Sequence, residues 1–220
     1  MEMIVLDRIS DYSSVMQPLE YFELKSKLIE AGYHAEIYWA ETVQAPETAE
    51  DLFRQYGWVV VNSGMKNQVA EKIWAKIQAA IAAGKPVSSV FKHPGKAAAI
   101  QSGWDDRNRR LKEFQAVKDE DQEQVLDWLR GLPWIGQITC WHLAKNLGID
   151  CAKPDRWLER VAAASDESVA GLCSRLADQS GDRVATVDLV IWRACNLGLW
   201  PAAPAADAIG EDGRVAEAAV

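Results

Sequence analysis

Long apolar runs are missing from this chain: none of its 220 residues falls in a stretch of roughly 18 uninterrupted apolar side chains, the length a membrane-spanning helix needs. Its first residues, MEMIVLDRISDYSS, lack the basic start and apolar core of a secretory signal. The expectation is a cytoplasmic protein with no membrane partner. Metal-binding patterns are missing too. Cys140, Cys151, Cys173 and Cys195 form no C-x-x-C pair, and no histidine stands at zinc-finger spacing from them. A structural zinc and an iron-sulfur loop are thereby excluded, no metal ligands are assigned, and the cysteines read as buried thiols. Positive charge is in deficit as well: 24 Lys and Arg stand against 32 Asp and Glu, a net −8. That balance argues against a general nucleic-acid coat, whose affinity comes from Lys and Arg neutralising phosphates.

What is present is helical periodicity. Segments such as PLEYFELKSKLIEAGY, TAEDLFRQYGWVVV, KNQVAEKIWAKIQAAIAAG, SVAGLCSRLADQSG and VATVDLVIWRACNLG repeat apolar residues at i, i+3 and i+4. Only MIVL and WVVVNSG look strand-like, so the fold class read from the pattern is all-α. Gly84-Lys85-Pro86 marks one helix end, Gly148 another, and Asp155 stands in N-cap position after Pro154. The acidic, Ala/Pro-rich stretch 201–220 reads as a disordered tail. The ten tryptophans are expected mostly to fill space between helices. Charge is unevenly spread: between Lys92 and Lys112, six basic side chains face two acidic ones, a local +4 that points to an anionic partner.

One stretch carries chemistry. Two amphipathic helices flank the turn LPWIG, in which Pro133 and Gly136 fix the backbone. The amides of Gly136, Gln137, Ile138 and Thr139 are then left unpaired at a helix N-terminus, where they can hold phosphate by direct hydrogen bonds and the positive end of the helix dipole. Pro133, Gly136, Gln137, Ile138 and Thr139 are therefore the candidate DNA contacts; a plain helical hairpin is the competing reading. His142 reads as a packed or surface histidine, and Asp188, inside the apolar run TVDLVIW, as a cap or the partner of an arginine.

The whole stretch LPWIGQITCWHLAKNLGIDCAKPDRWLERVA resembles the helix-hairpin-helix, Gly/Pro-rich loop and aspartate signature of the DNA glycosylase superfamily typified by endonuclease III. Leu132, Pro133 and Gly136 match the hairpin, Asp155 falls on the family's catalytic aspartate, and Arg160-Val161 match its continuation. Upstream, VVVNSGMKNQVAEKIW resembles the first core helices and PGKAAAI the G-x-x-x-K-A-x-x-I segment, so the likeness runs from about Trp58 to Gly198. It implies a two-lobed helix-hairpin-helix glycosylase-like fold: an N-terminal helical segment, 1–57, packed on a core of 58–200, acting as a monomer on double-stranded DNA. Three departures matter. Ile138 stands where strand-cleaving members place a Schiff-base lysine, NSGMKNQ replaces the usual LSAQT, and the cysteine loop for an iron-sulfur cluster is absent.

A narrower likeness competes with base excision. VFKHPGKAAAIQSGW, IGQITCWHLAKNLG, KPDRWLERVA and VDLVIWRACNLG resemble phage-associated members of the superfamily that hypermodify thymine, the amino acid:DNA transferases akin to α-glutamyl/putrescinyl-thymine pyrophosphorylases. This implies a bacterial or phage-infected host cell, a free amino acid as co-substrate, and displacement of pyrophosphate from a 5-pyrophosphoryloxymethyl-uracil in DNA by its amine. A divalent ion, or a monovalent cation held at the hairpin, is left open as a cofactor. Either reaction needs the base flipped from the stack and a carboxylate at the pocket edge, so Asp155 alone does not separate them. Lys153 and Asp155 are the catalytic candidates; Lys92, His93, Lys96 and Arg156 are the candidate pyrophosphate-binding cations. Three readings stay open: the transferase, a monofunctional DNA glycosylase using Asp155, and a non-catalytic helix-hairpin-helix DNA-binding module.

Overall fold

Capping chemistry sets the rhythm of the fold. In the computed structural model, which describes residues 15–200, eleven α-helices follow one another and no strand occurs among the described residues. They are α1 (Pro18–Leu28), α2 (His34–Thr42), α3 (Ala49–Asn62), α4 (Asn67–Ala82), α5 (Pro94–Asp105), α6 (Arg107–Val117), α7 (Gln122–Arg130), α8 (Thr139–Asn146), α9 (Arg156–Ala163), α10 (Val169–Ser180) and α11 (Val184–Asn196). A wide turn, Ile29–Tyr33, joins α1 to α2, and a short 3₁₀ turn, Val87–Ser89, precedes α5. Thr48, His93, Asp121, Asp155 and Ser168 each stand at a helix start and accept a backbone N–H with their side chains, which supplies partners for otherwise orphaned donors. Gly148 follows α8 with φ +78°, as expected of the residue that closes it.

The buried apolar side chains fall into two clusters. One is built from α3 to α8 and includes Tyr56, Val60, Ile77, Ile100, Phe114, Leu126, Leu129 and Leu143. The other joins α1 and α2 to α9, α10 and α11 through Tyr21, Leu28, Leu158, Leu172, Val187 and Ile191. The chain thus leaves the second cluster after α2, builds the first, and returns by way of residues 147–155. Residues 49–57 belong to α3 and contribute Leu52, Phe53 and Tyr56 to the first cluster.

The two crossings touch. A Cβ on Gly148 would meet the Ala45 backbone nitrogen at 2.7 Å, so α8 ends directly against the outgoing segment. Arg183 clamps the same place: its guanidinium donates to the carbonyls of Ala40 (3.2 Å), Val43 (2.9 Å) and Gly148 (2.7 Å). Three helix-terminal carbonyls that lack intrahelical partners thereby share one cation.

The all-α expectation holds among the described residues, with one local correction. Trp58–Asn62 of the strand-like WVVVNSG is the last part of α3, where Val59, Val60 and Val61 are all buried. Burial on every side gives a continuous apolar run that alternates with nothing, and tertiary contact overrides the β-preference of valine. The other strand-like segment, MIVL, and the expected tail at 201–220 lie outside the described residues. No described helix is long and apolar enough to cross a membrane. All four cysteines are buried free thiols, as expected; burial pushes those of Cys151 and Cys195 up to about 12.

Candidate functional site

The turn joining α7 to α8 is pinned from below. The Tyr56 hydroxyl reaches the carbonyls of Pro133 (2.7 Å) and Ala99 (3.2 Å), tying the turn to α3 and α5. Trp134 sits at φ +67°, a left-handed conformation that residues with a Cβ rarely adopt. The residue is 45% exposed, and its ring meets His93 edge-on with centroids 5.1 Å apart and covers Gly95 so closely that a Cβ there would come within 2.5 Å of it. The hairpin and the Lys92–Lys96 segment are therefore neighbours.

The hairpin amides need one correction. The N–H of Gly136 is not free; it donates to the Thr139 hydroxyl at 2.8 Å. The threonine side chain folds back over the first turn and takes the donor that the sequence left open. The amides of Gln137, Ile138 and Thr139 have no acceptor among the described residues, and Gln137 and Ile138 are exposed. Pro133, also exposed, contributes its carbonyl to Tyr56.

The three arginines of the basic segment are paired with carboxylates. Arg107 pairs with Glu50 at 3.0 Å and lies over the Trp104 ring. Arg109 bridges Asp106 and Glu113, and Arg110 is buried with a hydrogen bond to Ser102. Lys96 is the second correction: it is 5% exposed, and its ammonium donates to the carbonyls of Val61 and Ser63 at the C-terminal end of α3. Burial lowers its pKa. An ammonium engaged with two backbone oxygens closes the end of α3 and does not face a pyrophosphate. Lys92 and His93 remain at the surface. The Nδ1 of His93 accepts from the Lys96 amide at 3.3 Å, which leaves Nε2 as the outward nitrogen.

The aspartate loop forms a separate group. Asp155 caps α9 through one oxygen, Oδ1, which accepts from the N–H of Trp157 (2.9 Å) and of Leu158 (3.2 Å); no hydrogen bond within the described residues holds Oδ2. A carboxylate fixed by one oxygen keeps its direction while the other can act. Lys153 and Arg156 on either side have no carboxylate partner among the described residues; Arg156 lies over the Trp157 ring at 5.1 Å. An open cavity of about 350 Å³ lies beside this loop, bounded by Trp141, Ala152, Pro154, Glu159 and Val169. Pro154 and Glu159 bracket Asp155 along the chain.

Beneath the loop, Asp188 supplies the third correction. Its partner is a lysine, not an arginine: one oxygen accepts from the Lys145 ammonium and the other from the backbone N–H of Lys153. Burial alone would lower the Lys145 pKa, but the facing Asp188 carboxylate outweighs it and holds the ammonium above its usual range. Burial, then the charges of Lys145 and Lys153, push the His142 imidazole down to about 4, so it is neutral at pH 7.

No hydrogen bond, ion pair or ring contact among the described residues joins the His93 group to the Asp155 group. α8 starts just after the hairpin that meets His93 and carries, near its end, Lys145, the partner of Asp188. Sequence reasoning missed Tyr56, Trp134 and Lys145. A tryptophan between Pro133 and Gly136 was a signal for a strained turn; nothing local marks Tyr56. No set of three or more His, Cys, Asp or Glu among the described residues is grouped to hold a metal ion. No protein-family model, curated protein or solved structure matches the chain.

Proposed function

We propose that the protein is a DNA base-modifying transferase, built on a two-lobed helix-hairpin-helix scaffold, that attaches an amino acid through its amine to a pyrophosphate-activated 5-hydroxymethyl-uracil in double-stranded DNA. The observation that carries this reading is Asp155. Its carboxylate is anchored by one oxygen, has the other available, and stands between two cations, Lys153 and Arg156, that lack acidic partners among the described residues. In the proposed step the flipped base presents its 5-methylene carbon, and Asp155 accepts a proton from the ammonium of the amino acid. The freed amine attacks that carbon, the carbon–oxygen bond breaks, and pyrophosphate leaves with the electron pair. Lys153 and Arg156 stabilise the charge growing on the leaving group, where fixed cations act most strongly. The free amides of Gln137, Ile138 and Thr139 hold a backbone phosphate.

One observation favours a second reading, the monofunctional glycosylase. With Lys96 engaged at α3 and Arg107 and Arg109 paired, fewer cations are free for a pyrophosphate than the sequence suggests. Asp155 would then stabilise a cationic sugar and activate water, and Ile138 supplies no amine for strand cleavage. Nucleoside mass spectrometry separates the two. DNA carrying pyrophosphorylated 5-hydroxymethyl-uracil, and plain DNA, are incubated with and without free amino acids. An amino-acid mass adduct that requires the activated base is the expected result. Abasic sites would replace the transferase with the glycosylase, and unaltered DNA that is nevertheless bound would leave only the DNA-binding module.

A further inference from the structure

Asp188 is 2% exposed in the middle of the apolar run of α11, flanked there by Val187 and by Val190 and Ile191, all fully buried. A charge in such a place is costly, and well-packed apolar residues commonly serve stability as well or better. Its bonds point along the chain toward Asp155. One oxygen takes the backbone N–H of Lys153; the carbonyl of Lys153 in turn accepts the N–H of Asp155 at 2.8 Å; and Asp155 then turns one oxygen onto α9. The same end of α11 holds the rest of the loop, through Ala185 N–H to Asp150 (2.8 Å) and Arg183 to the Gly148 carbonyl. Of these three anchors, Asp188 is the one adjacent to the aspartate.

We infer that Asp188 is a positioning residue for Asp155: its carboxylate fixes the Lys153 peptide and so sets the direction in which Asp155 presents its free oxygen, with Lys145 as the counter-charge that makes a buried carboxylate tolerable. The inference rests on Asp155 being the reacting carboxylate proposed above. A purely structural role would make Asp188 the partner of Lys145 and nothing more. The two roles separate because one bond goes to a side chain and the other to the backbone.

The test uses the full chain in three forms: wild type, Asp188→Leu with Lys145→Met, and Asp188→Asn with Lys145→Met. Both double variants remove the ion pair, but only asparagine keeps an acceptor for the Lys153 N–H. The Leu/Met form is expected to bind DNA within about twofold of wild type while single-turnover product formation falls at least about 30-fold; the Asn/Met form should recover to within about fivefold. Wild-type turnover in the Leu/Met form, or a loss of DNA affinity in step with the rate, overturns the inference. Hydrogen exchange of the Trp157 and Leu158 amides, which Asp155 holds, gives a readout independent of turnover. Faster exchange, by about tenfold or more, is expected in Leu/Met and not in Asn/Met, and equal protection in both overturns the inference even if one variant is too unstable for assay. An inactive wild type would count against the proposed reaction alone, since the exchange experiment still decides what Asp188 does.

Discussion

Asp155 and His142 show how far one side chain can be argued from its surroundings. Asparagine caps a helix about as well as aspartate, so Asp155→Asn should keep the bonds to Trp157 and Leu158 and change stability by less than about 1 kcal/mol. It removes the charge and the basicity. Single-turnover product formation should fall by about two orders of magnitude, with DNA affinity kept or raised. A variant that melts and turns over like wild type would reduce Asp155 to a cap. His142 makes a different prediction, about pH. Its folded-state pKa, near 4, lies below the ordinary 6.5, so the unfolded chain takes up a proton more readily than the folded one. The stability linked to this neutral imidazole is fully present above about pH 6.5 and is lost as pH falls from there through 4. Urea unfolding at pH 7.5, 6.0 and 5.0 should therefore show a steeper decline for wild type than for His142→Leu; parallel declines would mean the imidazole is not held neutral.

Elements were legible in the sequence wherever a cap and an apolar stripe coincided. α3, α7 and α10 carry an N-cap side chain and a stripe, while α4 and α11 carry the stripe and stop before Gly84 and Gly198, both at positive φ. α2, α5 and α6 carried too little of that pattern: α6, RNRRLKEFQAV, is strongly polar and buries only Arg110 and Phe114, and α5 packs through alanines. The same reasoning explains the candidate site. Asp155 was readable because its cap is a local device, while Lys96 was misread because its acceptors lie more than thirty residues away. The hairpin was half readable: its turn is written in Pro133 and Gly136, but the hydroxyl that satisfies Gly136 could have pointed elsewhere. Gly136 itself offers a clean test of the element. Nothing lies within 4 Å of a Cβ built there and its φ is not positive, so Gly136→Glu fits without strain. A carboxylate beside the free amides of Gln137 and Ile138 should weaken DNA binding at least tenfold at moderate salt, read by fluorescence anisotropy, with the melting temperature unchanged. Unchanged affinity in the folded variant would remove the hairpin from the interface.

At the scale of the molecule, the two buried clusters share a seam, and the seam carries the loop that ends in Asp155. Nothing in the sequence pattern announces this, because the second cluster is assembled from segments far apart in the chain: α1 and α2 pack with α9 to α11 across the whole of α3 to α8. What the sequence does contain is Gly148, and its requirement there is twofold. The backbone has φ +78°, and a Cβ would press on the Ala45 nitrogen and the Gln44 carbonyl carbon at 2.7 Å, both backbone atoms that cannot swing aside. Gly148→Ala should cost about 2–4 kcal/mol, the left-handed conformation alone accounting for about 1–2 of it. Relief must come from moving α8 away from residues 44–45, which also stretches the bond from Arg183 to the Gly148 carbonyl. Each cluster keeps its own apolar contacts, so the loss should fall on the coupling between them rather than on either alone. Guanidinium unfolding followed by far-ultraviolet circular dichroism and by tryptophan fluorescence should coincide for wild type. In Gly148→Ala the two transitions should separate and begin at lower denaturant, because Trp58, Trp74, Trp104, Trp128 and Trp141 pack on the first cluster and Trp157 and Trp192 on the second. Arg183→Met, which removes the clamp without touching the glycine, should separate them in the same way. Coincident transitions at an unchanged midpoint in both variants would mean that the clusters are joined elsewhere and that the Asp155 loop is held by α11 alone.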